Sequence, residues 1–374
     1  MIYKDTNVFQ EALERLRMLF DSHDDVVVSM SGGKDSTVMF EMAMMVAKEK
    51  CRLPLKVFWL DQEAEWQHTV DYMEKIMRRP DVDPYWFQIP FDFTNSLSPE
   101  KNFLRVFDDS CPEKWIHKKC DISIKENKTK YERYHDLVKW LPTQITDKNC
   151  AVLVGMRMAE SPRRRMSIVG TSAKWHGITW CTTPIGNTRK FWPIYDFTDD
   201  DVWTAIAKNH WDYNEVYDFM YRWGVSKKRM RVSALIHETA WHSLEILQEV
   251  EPVTYNRFVS RIPGTHTFNH AFDEGKVVPK DLPFAFADWK EYRDYLLEHI
   301  TKPEYWDLFK KRWENQDGDE WYKIHVKEVI INDIDGTVNK NKEYEVLSRK
   351  RLEGKYKDRN TEQYQKYMEG RKDD

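Results

Sequence analysis

One stretch of the 374-residue chain has residue types and spacing suited to chemistry: Ser29-Met30-Ser31-Gly32-Gly33-Lys34-Asp35-Ser36-Thr37. It follows a short apolar run, Val26-Val27-Val28, and leads into a methionine-rich helical stretch from Val38 to Lys48. A turn between strand and helix gathers backbone N–H groups, and glycines let an anion come close to them. The helix N-terminus adds the positive end of its dipole. Ser31, Ser36 and Thr37 offer hydroxyls and Lys34 a point charge, a set that suits a diphosphate. The spacing is neither G-x-x-x-x-G-K-S/T, whose first glycine would fall at Val28, nor G-x-G-x-x-G. An ordinary tight turn is the alternative.

Two other strand ends carry charge. Phe58-Trp59-Leu60-Asp61 places Asp61 at the carboxyl edge of the sheet, where open α/β folds bind ligands, with Glu63 and Glu65 behind it. The same acids would also cap the next helix. Gly155-Met156-Arg157-Met158-Ala159-Glu160-Ser161-Pro162-Arg163-Arg164-Arg165 follows the apolar run Ala151–Val154. Gly155 permits close approach, the arginines can grip phosphate or sulfate with two parallel bonds, and Glu160 can orient one of them. Charge runs are ordinarily solvated faces, and it is the position at a strand end that sets this one apart. Lys227, Lys228, Arg229 and Arg231 form a second basic stretch.

Cys111, His117 and Cys120 are a compact trio of possible zinc ligands, with Cys150 or His135 as a fourth. Their spacing matches no established site, which favours scattered thiols and a surface histidine. Asp333-Ile334-Asp335-Gly336 begins like a calcium loop but lacks the later ligands, and reads as a turn.

Elements must hold these residues in place. Phe9, Ala12, Leu13, Leu16, Leu19 and Phe20 predict an opening amphipathic helix. Strands are expected at Val26–Val28, Leu55–Leu60, Tyr85–Ile89 and Ala151–Val154. Helices are expected over Val38–Lys48, along the stripe Trp66, Val70, Met73 and Met77, and over Tyr131–Leu141. Pro90 to Lys128 reads as irregular. Thr198-Asp199-Asp200-Asp201 has the signature of a helix N-cap, with acids on the dipole. Alternating strands and helices imply βαβ units and a parallel sheet. Beyond about Arg231 helical stripes dominate: Leu244, Leu247 and Val250; Tyr292, Leu296 and Ile300; Trp306, Phe309 and Trp313. The expected division is an α/β domain over residues 1–235 and a mainly helical extension over 236–374, with a polar tail from Lys350.

Composition narrows the class. With 41% hydrophobic and 32% charged residues, 13 glycines and 15 prolines, the chain is neither collagen-like nor wholly disordered. A net charge of −4 excludes a global polyanion binder but conceals the two basic clusters. Five widely spaced cysteines without a C-x-x-C pair fit a reducing, cytoplasmic setting. No apolar run approaches the roughly 18 residues of a membrane span, and no signal-peptide core opens the sequence.

The S-G-G-K-D-S turn after an apolar strand resembles the PP-loop of the adenine nucleotide α-hydrolase superfamily, which includes phosphoadenosine-phosphosulfate (PAPS) reductases and ATP pyrophosphatases. The segment from Gly155 to Arg164 is similar to G-x-R-x-x-E-S-x-x-R of PAPS reductases. Trp192-Pro193-Ile194-Tyr195-Asp196-Phe197-Thr198 to Trp203 resembles their P-I-x-x-W-T-x-x-D-V-W segment, with Phe197 replacing a tryptophan. These three segments, with the Phe58–Asp61 strand end that lies near the nucleotide in the family, make four motifs in family order over about residues 25 to 235.

The resemblance implies a Rossmann-like, mostly parallel sheet flanked by helices. It also implies a nucleotide (ATP, or PAPS or APS) held by Ser29, Ser31, Gly32, Gly33, Lys34, Asp35, Ser36, Asp61, Gly155, Arg157, Glu160 and Arg164. Lys34, Asp35 and Arg157 are implied in catalysis, with Asp35 on Mg2+. The implied reaction is attack on the ATP α-phosphate or adenylyl transfer, releasing pyrophosphate. Sulfonucleotide reduction or sulfur transfer is a second possibility. It is disfavoured because the E-C-G-x-H nucleophile segment and the cluster cysteines are missing, and no cysteine follows Cys181. Leu247–Pro252 and Arg261-Ile262-Pro263-Gly264 look like the extension of a bacterial and phage subgroup, some members of which are encoded beside a ParB-like protein. A nucleotide-sensing regulator acting with such a DNA-binding partner is therefore a third reading. Direct nucleic-acid binding through the basic clusters and a homo-oligomer stay open.

Overall fold

The fold is seen in a computed structural model that describes residues 6–97, 101–169, 175–227, 230–232, 235–236, 242–262, 264–265, 278–343 and 345–347. Asn7 starts the first helix, α1 (Val8–Ser22), through a capping box with Gln10. The apolar runs that follow become β1 (Asp25–Ser29), α2 (Lys34–Glu49), β2 (Leu55–Leu60), α3 (Gln67–Met77) and β3 (Val82–Phe87). A short hairpin, β4 (Phe91–Thr94) and β5 (Phe103–Val106), precedes α4 (Tyr134–Trp140), β6 (Cys150–Val154), α5 (Pro162–Val169) and β7 (Thr188–Phe191).

β1, β2, β3, β6 and β7 form one parallel sheet in the order β3-β2-β1-β6-β7. The chain moves outward from β1 through β2 to β3, then returns to β1's other side at β6. The carboxyl ends of β1 and β6 thus flank the point where strand order reverses, the crevice such sheets use for ligands. This is the Rossmann-like arrangement expected.

Strand side chains alternate between two cores, as a sheet covered on both faces requires. Val26, Val28, Val57, Trp59, Ala151 and Leu153 face the core of α1, α2, α3 and α6 (Asp199–Asn209). Val27, Phe58, Leu60, Cys150 and Val152 face the other, which is closed by the hairpin, α4, α7 (Val216–Arg222), α8 (His242–Val250) and α9 (Pro252–Arg261). A third core, around Trp289, Leu297, Phe309, Trp313 and Val326, belongs to α10 (Trp289–Ile300), α11 (Trp306–Arg312) and α12 (Asp319–Ile330).

Three local readings are corrected. The stretch expected to be irregular from Pro90 to Lys128 contains the hairpin, whose four-residue strands are too short to display a period. β7 escaped notice because Arg189 and Lys190 stand between its two buried ends. Trp66 is not on the α3 stripe: it is the N-cap residue, and it packs in the second core while Val70, Met73 and Met77 pack in the first. No helix among the described residues is long and apolar enough to cross a membrane. The tail from Lys350, Lys228, Arg229 and Pro263 lie outside the described residues.

Candidate functional site

The β1–α2 turn is built by exact local fits. Gly32 has φ +69°, and a Cβ there would lie 2.7 Å from Thr69 Cγ2, so glycine is required on both counts. The Asn214 side-chain amide donates to the Gly32 carbonyl at 3.1 Å and to Thr69 Oγ1 at 2.8 Å, tying the turn to α3. Ser36 Oγ donates to the Gly33 carbonyl at 2.8 Å and accepts the Ser31 N–H at 3.2 Å. The Lys34 N–H, at the first turn of α2, donates to Tyr217 Oη at 2.9 Å.

Across the turn lies the start of the β6–α5 connection. Gly155 is forced by proximity: an added Cβ would meet the Asp35 carbonyl oxygen at 2.6 Å and its carbon at 2.7 Å, both rigid backbone. That closeness brings Arg157, 1% exposed, beside the loop. Arg157 Nε donates to Asp35 Oδ1 at 2.7 Å, and its Nη2 donates to Asp199 Oδ1 at 2.8 Å. Lys34 Nζ stands 3.5 Å from both Asp35 Oδ2 and Asp199 Oδ1 and 5.7 Å from the centre of the Tyr217 ring. Glu160 accepts the Arg157 N–H and pairs with Arg164. The remaining guanidinium nitrogen of Arg157, Nη1, is buried and meets no acceptor among the described residues.

These groups line a cleft of about 560 Å³. It brings together Ser31, Gly33, Lys34, Asp35, Ser36, Gly155, Arg157, Glu160 and Arg164 from the predicted set, with Arg165 and Arg231 from the two basic stretches. Lys227 instead pairs with Asp200 at the exposed rim. Five cations and four carboxylates line the cleft: Arg157 and Lys34 are matched by Asp35 and Asp199, Arg164 by Glu160, and Asp200 is taken by Lys227. An anion in the cleft would meet the unmatched Arg157 nitrogen, the turn itself, and Arg165 and Arg231, which pair with no acid among the described residues.

Other expected residues lie elsewhere. Gly32 shapes the turn without lining the cleft, and the Thr37 hydroxyl is buried against Tyr72 Oη at 2.9 Å. Ser29 lines a neighbouring compartment of about 410 Å³ at the ends of β1, β2 and β6. Asp61 is fully buried and spent: it accepts from the Glu63 N–H, Trp86 Nε1, Gln88 Nε2 and His117 Nε2 at 2.9–3.2 Å. Burial works against its charge, but the His117 ring and the other donors together hold its pKa below the usual range.

The expected magnesium ligand, Asp35, has its oxygens committed to Arg157 and Lys34, and Asp199 shares both cations. That donor set does not fit a resident metal. Cys111, His117 and Cys120 do not converge either. Arg261 Nη1 reaches Cys111 Sγ at 3.6 Å, His117 is on Asp61, and Cys120 faces Asp121 and Glu74.

Asp199 and Tyr217 were missed as site residues. In the sequence the three aspartates read as capping acids, yet the Thr198–Asp201 box alone does the capping and frees Asp199 for the cleft.

Comparison with known proteins gives two family-model matches: the phosphoadenosine phosphosulfate reductase domain over residues 25–223, and a domain of unknown function (DUF3440) over 224–366. The chain is 25% identical to the uncharacterised protein YbdN of Escherichia coli K12, covering 79% of this chain and 76% of that one. It is 27% identical to the uncharacterised protein MJ0973 of Methanocaldococcus jannaschii, covering 70% and 51%. Among solved structures, FMN adenylyltransferase of Candida glabrata is similar at 13% identity, covering 59% of this chain and 62% of that one, with a TM-score of 0.36. The chain thus spans about half of the archaeal relative and less than two thirds of the adenylyltransferase.

Proposed function

Because the chain belongs to the phosphoadenosine phosphosulfate reductase domain family of the PP-loop adenine nucleotide α-hydrolase superfamily, we propose that it binds ATP and acts at the α-phosphate, releasing pyrophosphate. The observation that carries this reading is the buried Arg157 fork. Two of its nitrogens are held by Asp35 and Asp199, while Nη1 stays unmatched beside the 31–36 turn. A buried guanidinium nitrogen without an acceptor is costly unless a ligand supplies one. A phosphate oxygen is the acceptor that also suits the turn's N–H groups, Lys34 and the start of α2.

In the proposed reaction an acceptor's lone pair attacks the α-phosphorus, the bond to the β-phosphate oxygen breaks, and pyrophosphate carries away the electron pair. Lys34 and Arg157 meet the charge that grows on the phosphates, already oriented by Asp35 and Asp199, so little reorganisation accompanies the step. Asp35 serves here as the clamp between the two cations. The neighbouring compartment, which shares Ser31, Ser36, Gly155 and Arg164 with the cleft, is the proposed seat of the nucleoside. Thiol chemistry on a sulfonucleotide has no support here, since none of the five cysteines lines the cleft.

Titration calorimetry with ATP, PAPS and APS, paired with detection of AMP or adenylylated product and pyrophosphate, tests the reading. ATP is expected to bind. Arg157→Lys, which keeps a charge but loses the planar fork, is expected to weaken binding at least tenfold, about 1.4 kcal/mol. Tight binding without turnover, in the presence of candidate acceptors, would turn the reading into that of a nucleotide sensor. No binding of any nucleotide would overturn it.

A further inference from the structure

The compartment beside the cleft contains two buried oxygens that meet no donor among the described residues. Gln62 is 7% exposed; its Nε2 donates to Tyr134 Oη at 3.3 Å, which leaves Oε1 without a donor. Glu65 is 2% exposed, and its Oε2 likewise has no partner. Both side chains line the compartment, whose other walls include Trp59, Leu60 and Tyr134. Lys190 and Arg164 line the same compartment, but Lys190 Nζ donates to the Val138 carbonyl and Arg164 pairs with Glu160, and no cation pairs with Glu65 among the described residues. Burial first, and then the nearby charge of Asp61, hold its pKa well above the carboxylate range.

A neutral carboxyl presents one O–H donor and one carbonyl acceptor, and the Gln62 oxygen adds a second acceptor. Orphaned buried acceptors of this kind are ordinarily met by a ligand or by ordered water. A flat ring with an acceptor nitrogen beside an exocyclic amine supplies what the pair lacks: a lone pair for the O–H and two N–H donors for the oxygens. The aromatic and aliphatic walls suit the faces of such a ring. We propose that Glu65 and Gln62 read the amino edge of the nucleobase and set the protein's preference for adenine nucleotides. This rests on the reading of the cleft as a nucleotide phosphate site and adds to it the group that selects the base.

The test compares binding of ATP, purine riboside triphosphate (hydrogen in place of the amine) and inorganic tripolyphosphate to the full chain and to Glu65→Gln and Glu65→Met. The wild type is expected to bind ATP at least tenfold more tightly than the deaminated analogue, because a site built for a hydrogen bond rejects a ligand that leaves it unmade. Glu65→Met is expected to reduce that ratio below threefold, and Glu65→Gln to retain most of it. Tripolyphosphate affinity should stay the same in all three. Equal wild-type affinity for ATP and the analogue, with tripolyphosphate still bound, would overturn the proposal while leaving the cleft reading intact. So would a ratio unchanged in Glu65→Met. Should Glu65→Met not fold, the wild-type ratio and the Glu65→Gln value decide. If neither ATP nor tripolyphosphate binds, the cleft reading itself falls, and this proposal with it.

Discussion

Two turns leave the carboxyl edge of the sheet one strand apart. After β1, Ser31 to Ser36 open onto a cleft, and their charges are matched across it by residues from β6–α5 and α6. After β2, Asp61 and Glu63 are both completely buried. Asp61 is knitted to Trp86, Gln88 and His117. Glu63 accepts from Arg261 Nε at 2.8 Å, the Ile116 N–H at 3.3 Å and the Phe107 N–H. The two turns share a place in the topology but not a use. The hairpin, the following loop and α9 cover Asp61 and Glu63, while Gln62 and Glu65 of the same turn line the neighbouring compartment.

The sharpest way to break this comparison is through Arg261. Its side chain is 8% exposed, reaches Glu63 from α9 and also donates to the Arg105 carbonyl at 2.6 Å. Removing one partner of a buried pair leaves the other charge stranded, so Arg261→Met is expected to cost about 3–5 kcal/mol of stability. Chemical denaturation measures this. A loss below about 1 kcal/mol would mean that the second turn is held by other contacts.

The same contrast explains what was legible in the sequence. Ser31–Ser36, Gly155 and Arg157 were readable because a strand, a glycine turn and a helix follow one another locally, and the topology of a parallel sheet then brings the turns together. Asp61 has the same local signature. The burial of its turn involves a hairpin of four-residue strands and, through Glu63, Arg261, about 200 residues later in the chain, and no local pattern reports either. Asp199 was hidden for the opposite reason. Its neighbours explain it fully as a capping acid, and only the fold shows that Arg157 Nη2 lies against it. The Met-rich stretch from Val38 to Lys48 was legible as a helix, and its Met39, Met42 and Met44 are all buried.

Gly155→Ala probes the first turn with a smaller expected effect. The new methyl would press on the backbone of Asp35, which cannot yield as a side-chain tip can. The strain is expected to cost about 1–3 kcal/mol, and the shifted Asp35 would carry Lys34 and Arg157 with it. Calorimetry should therefore record an ATP affinity at least tenfold weaker, alongside the drop in stability. Unchanged affinity would mean that the close approach of β6 to the loop serves packing alone.

The smallest effect separates the turns by pH. His117 donates from Nε2 to Asp61 Oδ1 and from Nδ1 to the Lys118 carbonyl, both at 3.2 Å, so both ring protons of the charged form find acceptors. Burial opposes that charge, but the Asp61 carboxylate, with the Lys118 carbonyl and Glu63, outweighs it and raises the His117 pKa above its ordinary value. A raised value means that the folded state holds a proton the unfolded chain has lost. The contribution is therefore complete below pH about 6.5 and disappears as pH climbs through the folded value. For one proton the slope cannot exceed about 1.4 kcal/mol per pH unit. Asp61, with its pKa lowered, has the opposite sign and loses its contribution only in acid. Denaturation between pH 6 and 9 should show wild-type stability falling over this window and His117→Gln lacking that fall. ATP affinity at each pH should differ by less than twofold between the two proteins, because His117 does not line the cleft. Parallel stability curves would show that the ring is neutral in the fold. An affinity that followed the His117 substitution would mean that the buried turn reports to the open one, and the division of labour along this sheet edge would have to be redrawn.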